Sequence, residues 1–318
     1  MSSFEADPEV GPERPVSMEL LEGAPVALGG PRGFAVTRTL PNRQRRMVGA
    51  WCFLDAYGPH DIRDSAGMRV GPHPHTGLQT VTWLVAGEIL HRDTLGNHQE
   101  IRPGQLNLMT AGRGIAHSEE TPPRNSGVLH GVQLWVALPH ADRDMPPAFA
   151  HHAALPVVAL GGGITATVLM GTLGDATSPA RIHTPLVGAE LTLAAGAQAA
   201  VPLDPGFEYA ALALDGAANV DDATLKPGPL LYLGSGRSTV RLATSSPARV
   251  LLLGGEPFEE RLVMWWNFVA REHDEIVQMR ADWESRTPRF GEVRGYDGPP
   301  LPAPPMPLTR LVPRGRVR

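Results

Sequence analysis

Two pairs of residues in the first half of the chain carry the side chains best suited to bind a metal ion. His73 and His75 are separated by one residue, and His117 and Glu119 repeat that spacing. Alternate residues of an extended strand point to the same side, so each pair presents two donor atoms together. Three imidazoles and one carboxylate suit iron, manganese, nickel, copper or zinc better than calcium. We therefore predict one transition-metal site built from these four residues.

Each pair also has a plainer interpretation, because an isolated His-x-His often lies at a protein surface. Two features favour the metal site. Pro72 and Pro74 flank His73 and stiffen the backbone, which lowers the entropy lost when the site is ordered. The second pair follows the glycine-containing stretch 110–116, whose composition indicates a tight chain path.

The remaining histidines are assigned smaller roles. His98 and His130 are the two expected to approach the pocket and donate hydrogen bonds to the ligands. The others in this half of the chain are interpreted as structural or surface residues: His60, His91, His140, His151 and His152.

The elements that must position these side chains read as short β-strands. In Thr80–Val85, apolar and polar residues alternate, with Val81, Trp83 and Val85 on one face. Such runs recur about every 8–12 residues between Gly and Pro turns, which predicts a sandwich or barrel, and no βαβ alternation appears. One helix is predicted at about 272–286, from a stripe of Ile276, Met279 and Trp283.

The length of the chain predicts two domains. The 318 residues, of which 42% are apolar, exceed what one small domain needs. Turn-forming residues cluster within 139–155, and we place the boundary so that residues 1–140 form the metal-binding domain and 141–318 the second domain. Residues 1–33 are expected to form an irregular arm, and the Pro-rich segment 298–307 to be extended or disordered.

Composition excludes several classes of function. The net charge of −5 and pI near 6.2 argue against direct nucleic-acid binding or attraction to an anionic membrane. Cys52 is the single cysteine, so the chain has neither an internal disulfide nor a thiolate metal cage. No apolar run reaches the ~18 residues of a membrane span, and the polar, acidic N-terminus does not resemble a signal peptide. We expect a cytoplasmic protein.

The motifs taken together resemble the pirin family. The segments Gly71-Pro-His-Pro-His-Thr-Gly77, Met109-Thr-Ala-Gly-Arg-Gly-Ile-Ala-His-Ser-Glu119 and His130-Gly-Val-Gln-Leu-Trp135 carry the likeness, which is dense over about 36–139. Pirins are members of the cupin superfamily. The resemblance implies an all-β fold of two stacked cupin-type (jelly-roll) β-barrel domains with a short C-terminal helix.

The resemblance also implies where the metal binds. In pirins only the N-terminal barrel holds a metal, usually iron, and its ligand positions correspond to His73, His75, His117 and Glu119. We therefore expect one ferrous ion, Fe(II), and a metal-free C-terminal barrel. Gln79 stands where the family often has Glu. It is a further pocket candidate, and the change is expected to alter the pocket's polarity without removing the ion.

The activity implied by some pirins is that of a quercetin 2,3-dioxygenase, which opens a flavonol ring with O₂. Glu119 would then be the catalytic base, and Trp83, Leu106 and Leu108 would grip the flat substrate if they face inward. The resemblance also implies an alternative, an iron-dependent redox regulator that binds a transcription factor or a metabolic enzyme. A purely structural, metal-stabilised cupin is the third possibility, and the sequence does not decide between them.

Overall fold

A computed structural model describes residues 18–28 and 34–317, and it confirms an all-β fold with one C-terminal helix. In chain order, the first twelve strands are β1 (Glu19–Leu21), β2 (Ala24–Leu28), β3 (Phe34–Leu40), β4 (Trp51–Asp61), β5 (Arg69–His75), β6 (Leu78–Ala86), β7 (Ile89–Asp93), β8 (His98–Ile101), β9 (Leu106–Thr110), β10 (Ile115–Glu120), β11 (Val128–Ala137) and β12 (Ala148–His152).

The second half adds fourteen further strands and the helix. They are β13 (Val157–Gly161), β14 (Ile164–Met170), β15 (Thr172–Leu173), β16 (Ala176–Thr177), β17 (Leu186–Leu193), β18 (Gln198–Pro202), β19 (Glu208–Asp215), β20 (Ala218–Val220), β21 (Ala223–Leu225), β22 (Leu230–Ser235), β23 (Thr239–Ala243), β24 (Ala248–Gly255), β25 (Val263–Trp265), β26 (Phe268–Ala270) and α1 (His273–Glu284).

Each barrel consists of a seven-stranded and a four-stranded antiparallel sheet. The first barrel has the orders β12-β9-β6-β11-β4-β3-β2 and β5-β10-β7-β8. The second has β1-β22-β19-β24-β17-β14-β13 and β18-β23-β20-β21. Strands β15–β16 and β25–β26 form two small hairpins. The two-domain cupin architecture implied by the sequence is thereby confirmed.

The two seven-stranded sheets pack against each other, so both faces of each sheet are buried. In β24, Val250 and Leu252 belong to the core inside the second barrel, whereas Leu251 and Leu253 belong to the core between the barrels. Alternate residues of one strand therefore serve two different cores, and the sequence reads as a continuous apolar run. Trp83 crosses the same interface, where its Nε1 donates to Glu190 Oε2 at 2.7 Å.

Two strands cross the boundary that we predicted at 140/141. Strand β1 pairs with β22 of the second barrel, and β12 pairs with β9 of the first. The boundary itself stays a proposal. The expectation of an irregular N-terminal arm is wrong for residues 19–21 and 24–28, which form β1 and β2. Residues 1–17 and 29–33 of that arm lie outside the described residues.

Helix α1 and the Pro-rich segment cover the outer side of β5. The helix spans His273–Glu284, against the predicted 272–286, and its N-terminus is closed by a capping box of Glu272 and Glu275. Ile276 and Met279 are buried, as the predicted stripe requires. The backbone N–H of Leu301 in the Pro-rich segment donates to the Pro72 carbonyl at 2.8 Å. None of the described helices is long and apolar enough to cross a membrane.

Candidate metal centre

The candidate ligands lie on neighbouring strands of the four-stranded sheet in the first barrel. Strand β10 runs between β5 and β7, and its His117 is paired directly with His73 on one side and Asp93 on the other. Glu119 is paired with His91 of β7. Directly paired residues in antiparallel strands point to the same face, so the sheet gathers these side chains inside the barrel.

The local sequence explains how the chain forms β5 and the turn that follows it. Pro72 and Pro74 lack an N–H donor, and they are tolerated because β5 is an edge strand of its sheet. Gly77, two residues beyond the end of β5, has a φ of +69°. A Cβ there would lie 2.2 Å from the Val269 carbonyl oxygen, so only glycine fits the turn that leads from β5 into β6.

Three imidazoles form a compact, buried cluster. The ring centroids of His73 and His117 are 4.4 Å apart, those of His75 and His117 are 4.9 Å apart, and those of His73 and His75 are 5.0 Å apart. One donor atom from each ring lies within 4.8 Å of the others. The exposed fractions of His73, His75 and His117 are 6%, 1% and 1%. The structure therefore brings three of the four predicted ligands together.

Unpartnered nitrogen atoms show that this cluster suits a metal ion. His117 Nε2 and His75 Nδ1 are buried and have no hydrogen-bond partner among the described residues. His73 Nδ1 lies 2.9 Å from the Gly71 carbonyl oxygen and donates to it, which leaves the Nε2 lone pair of His73 free. Buried polar atoms without partners are costly, and a bound cation would satisfy them.

Burial also keeps the three imidazoles in the form that binds metals. Desolvation lowers the pKa of His73 to about 4. It also lowers the pKa of His75 and of His117 well below the ordinary value of 6.5, assisted by the neighbouring histidines. Neutral imidazole is the metal-binding form, so no proton must be displaced near neutral pH.

Glu119 belongs to a second, overlapping group of potential ligands. Donor atoms of His91, His117 and Glu119 lie within 4.8 Å of one another, and His117 is common to both groups. The Thr82 hydroxyl donates to Glu119 Oε1 at 3.3 Å. Desolvation raises the pKa of Glu119, and the hydrogen bond from the Thr82 hydroxyl opposes this only in part.

His91 is the residue that sequence reasoning missed, since we interpreted it as structural or surface. It is 2% exposed, and its Nδ1 lies 3.3 Å from His117 Nδ1. The ring of Phe149 stacks on it at a centroid distance of 4.5 Å. A signal was present, because His91 and Asp93 have the same i, i+2 spacing as the two pairs used for the prediction.

The three proposed pocket residues His98, His130 and Gln79 are not near the cluster, and those predictions were wrong. His98 is exposed on strand β8. His130 faces the second barrel, where it bonds to the backbone of Leu214. Gln79 donates to Thr110 Oγ1 at 3.0 Å and to the Arg181 carbonyl at 3.1 Å. Gln79 therefore helps to join the two domains and does not set the polarity of the metal pocket.

The three residues suggested to grip the substrate, Trp83, Leu106 and Leu108, face away from the interior of the first barrel. Val81 and Trp83 share the outer face of β6, as the alternation predicted, and they are paired with Leu108 and Leu106 of β9. All of them belong to the core between the barrels. The inner face of the same strand carries Thr80 and Thr82. Periodicity gave the two faces correctly, but it could not tell which one points inward.

Aromatic and polar side chains line the interior beside the cluster. The Phe53 and Trp135 rings stack at 3.9 Å between centroids, and Trp135 meets the His75 ring edge-on at 5.1 Å. Arg38 forms two hydrogen bonds of 2.7 Å with Asp55. The Tyr57 hydroxyl is buried without a partner among the described residues. Both groups of potential metal ligands found in the described residues lie in this first barrel.

Comparison with known proteins identifies the family of the chain. The Pirin family model matches residues 33–136, and the model for the pirin C-terminal cupin domain matches residues 188–291. The chain belongs to the pirin family. A Pseudomonas aeruginosa pirin relative named "Putative quercetin 2,3-dioxygenase" is 49% identical over 280 residues, 88% of each chain. A pirin-like protein of Caulobacter vibrioides is 38% identical and covers 85% of this chain and 94% of its own.

Two solved structures share the fold of this chain. A quercetin 2,3-dioxygenase from Acinetobacter baumannii superposes with a TM-score of 0.88 and 44% identity, covering 92% of this chain and 96% of its own. The Escherichia coli pirin YhhW, solved in complex with nickel(II), has a TM-score of 0.59 and 18% identity, covering 76% and 100%. The second likeness shows the fold alone.

Proposed function

We propose that His73, His75, His117 and Glu119 bind one ferrous ion and that the protein uses it to open a flavonol ring with O₂. The observation that carries this proposal is the buried cluster of three neutral imidazoles, two of which hold unpartnered nitrogen atoms, beside a carboxylate. The relatives named for quercetin 2,3-dioxygenase supply the substrate class.

The bound ion would act as a Lewis acid toward the substrate oxygens and as a redox centre toward O₂. With three imidazoles and one carboxylate as protein ligands, the ion would still have room for a substrate oxygen and O₂ or for a chelating substrate. A flavonol offers such a pair, because its 3-hydroxyl and 4-carbonyl oxygens are adjacent.

Glu119 is the proposed base for the flavonol 3-hydroxyl. Burial raises the pKa of this carboxyl group in the metal-free protein, so an oxygen of Glu119 that loosens from the ion while the substrate binds would readily take a proton. Thr82 donates to Oε1 and so orients the carboxylate. We propose that the other oxygen, Oε2, takes the hydroxyl proton while the substrate binds.

Aromatic rings around the cluster supply the surfaces for a flat substrate. Trp135, stacked on Phe53 and in contact with His75, lies on one side, and Phe149, stacked on His91, lies on another. Such surfaces bind planar rings and exclude water from the site. The Arg38–Asp55 ion pair and the Tyr57 hydroxyl provide polar contacts for the substrate hydroxyl groups.

Aerobic consumption of quercetin by iron-verified protein tests this function. The wild-type protein is expected to consume quercetin and release carbon monoxide, whereas the variant His73→Ala/His75→Ala is expected to lose both metal and turnover. His98→Ala changes an exposed histidine and is the matched control. Glu119→Gln is expected to lower turnover more than metal content. If iron-loaded wild type is no faster than the double variant, the dioxygenase function is wrong and the regulatory alternative takes its place.

A further inference from the structure

Two buried side chains that are not proposed ligands connect to the cluster through hydrogen-bonding contacts with His117. Asp93, His91 and His117 follow one another through contacts of 3.1 and 3.3 Å. We infer that Asp93 and His91 are positioning residues that fix the tautomer of His117 and so direct the lone pair of its Nε2 toward the metal. This inference rests on the proposed metal site but not on the flavonol reaction.

The Asp93 carboxylate is anchored before it reaches His91. It accepts hydrogen bonds at Oδ1 from the backbone N–H groups of Leu95 at 2.9 Å and Asn97 at 3.1 Å, and from the Asn97 side chain at both oxygens. Its side chain is fully buried. An ionised carboxylate only accepts hydrogen bonds, so His91 Nε2, 3.1 Å from Oδ2, must carry the proton.

The proton positions on His91 Nδ1 and on His117 then follow. In a neutral His91 whose Nε2 carries the proton, Nδ1 is an acceptor. His117 Nδ1, 3.3 Å away, must therefore be the donor, and a neutral His117 with its proton on Nδ1 has a lone pair on Nε2. That Nε2 atom is the buried nitrogen without a partner. Carboxylates that orient metal-binding imidazoles in this way are common around metal sites.

The same contacts argue against His91 as a direct ligand in place of His73 or His75. Donor atoms of His91, His117 and Glu119 do lie within 4.8 Å of one another. However, both ring nitrogens of His91 are already engaged, one with Asp93 and the other with His117. His91 also stacks on Phe149, which holds the plane of the ring.

Asp93→Asn is the most direct variant. Its carboxamide oxygen is expected to keep the two backbone donors at the Oδ1 position, which turns the NH₂ group toward His91. His91 Nε2 would then become an acceptor and its Nδ1 a donor, so that His117 would place its proton on Nε2, toward the metal. We expect Zn²⁺ and Fe²⁺ affinity to fall about 10- to 100-fold, as for other residues that orient metal ligands.

A second Asp–His pair in the same chain is the matched control. His183 Nδ1 lies 2.8 Å from Asp142 Oδ2, and the His183 side chain is 3% exposed. Asp142→Asn makes the same chemical change beside a buried imidazole that belongs to neither group of potential ligands. This variant is expected to change metal affinity by no more than about twofold. If losing any buried Asp–His pair weakened metal binding, Asp142→Asn would weaken it as well.

Tautomers can be read directly from histidine nitrogen shifts in ¹⁵N NMR, on the metal-free and the Zn²⁺-loaded wild-type protein. This measurement needs no variant and remains decisive if Asp93→Asn fails to fold. We expect His117 to carry its proton on Nδ1 in the metal-free protein, and Zn²⁺ to shift only its Nε2. An Nε2 proton on His117, a metal-induced shift of a His91 nitrogen, or an unchanged affinity in a folded Asp93→Asn would overturn the inference. Because none of these measurements uses quercetin, a failed dioxygenase assay leaves them unaffected.

Discussion

The two barrels share one strand order but differ in what fills them. In the first barrel, the pair of strands β5 and β10 brings His73 opposite His117. In the second barrel, the equivalent strands β18 and β23 bring Val201 opposite Val240. Both valines belong to a closed apolar core that contains no histidine among the described residues. The same scaffold therefore encloses either a cluster of candidate metal ligands or an apolar core.

The difference shows how much apolar burial, and therefore stability, a barrel loses when polar side chains occupy its interior. An apolar interior stabilises its barrel in proportion to the surface removed from water. The first barrel gives up part of that contribution to bury imidazoles, carboxyl groups and an unpartnered Tyr57 hydroxyl. Its stability should therefore depend on metal and on pH, whereas that of the second barrel should depend on packing.

The largest expected effect is the loss of metal from the first barrel. His75→Ala removes a proposed ligand and should reduce the metal content from one ion per chain to nearly none, measured by elemental analysis of purified protein. His98→Ala and His183→Ala, which change an exposed histidine and a buried one outside the cluster, should keep their metal. Equal metal content in all three variants would contradict the proposed ligands.

A large apolar deletion in the second barrel should have the opposite signature. Leu191 is fully buried in the core of that barrel. Leu191→Ala leaves a cavity and should lower the free energy of unfolding by roughly 2–5 kcal/mol, measured by urea denaturation. Metal content in the folded protein should not change, because the cluster lies in the other barrel. Loss of metal from the folded variant would show that the barrels do not behave independently.

Acid should destabilise the metal-free protein through the first barrel. Burial lowers the pKa of His73 from 6.5 to about 4, so between these values the unfolded chain binds more protons than the folded one. Stability is then fully present above pH 6.5 and falls as the pH drops to about 4, by about 3 kcal/mol for this residue. Urea titrations of metal-free protein across this range test the sign. A flat profile would mean that the buried imidazoles are accessible to protons.

The sequence predicted those features that depend on residue spacing within a single strand or helix. The two faces of β6 and the stripe of Ile276 and Met279 were read correctly because one element determines each of them. The wrong predictions concern positions set by packing between elements. Gln79 and Trp83 turn toward the second barrel, and His91 enters the cluster, because strands distant in sequence pair beside them. Alternation alone cannot choose the inward face.

The smallest effect is expected from removing one hydroxyl group in each barrel. The Tyr57 hydroxyl in the first barrel has no partner among the described residues, although its ring meets Phe34 edge-on at 5.8 Å between centroids. Tyr57→Phe keeps the ring and removes an unsatisfied polar group, so the free energy of unfolding should stay within about 1 kcal/mol of wild type or rise. Metal content should be unchanged.

Tyr209→Phe is the matched change in the second barrel, where the hydroxyl accepts a hydrogen bond of 2.8 Å from the Asp204 backbone N–H. Deleting that acceptor should cost about 0.5–1.5 kcal/mol in the same urea experiment. The expected order, Tyr209→Phe more damaging than Tyr57→Phe, follows from the comparison of the barrels, since the second uses its polar groups for structure. If Tyr57→Phe costs more, its hydroxyl has a partner inside the first barrel, and Tyr57 is then part of the structure and not free to meet a substrate.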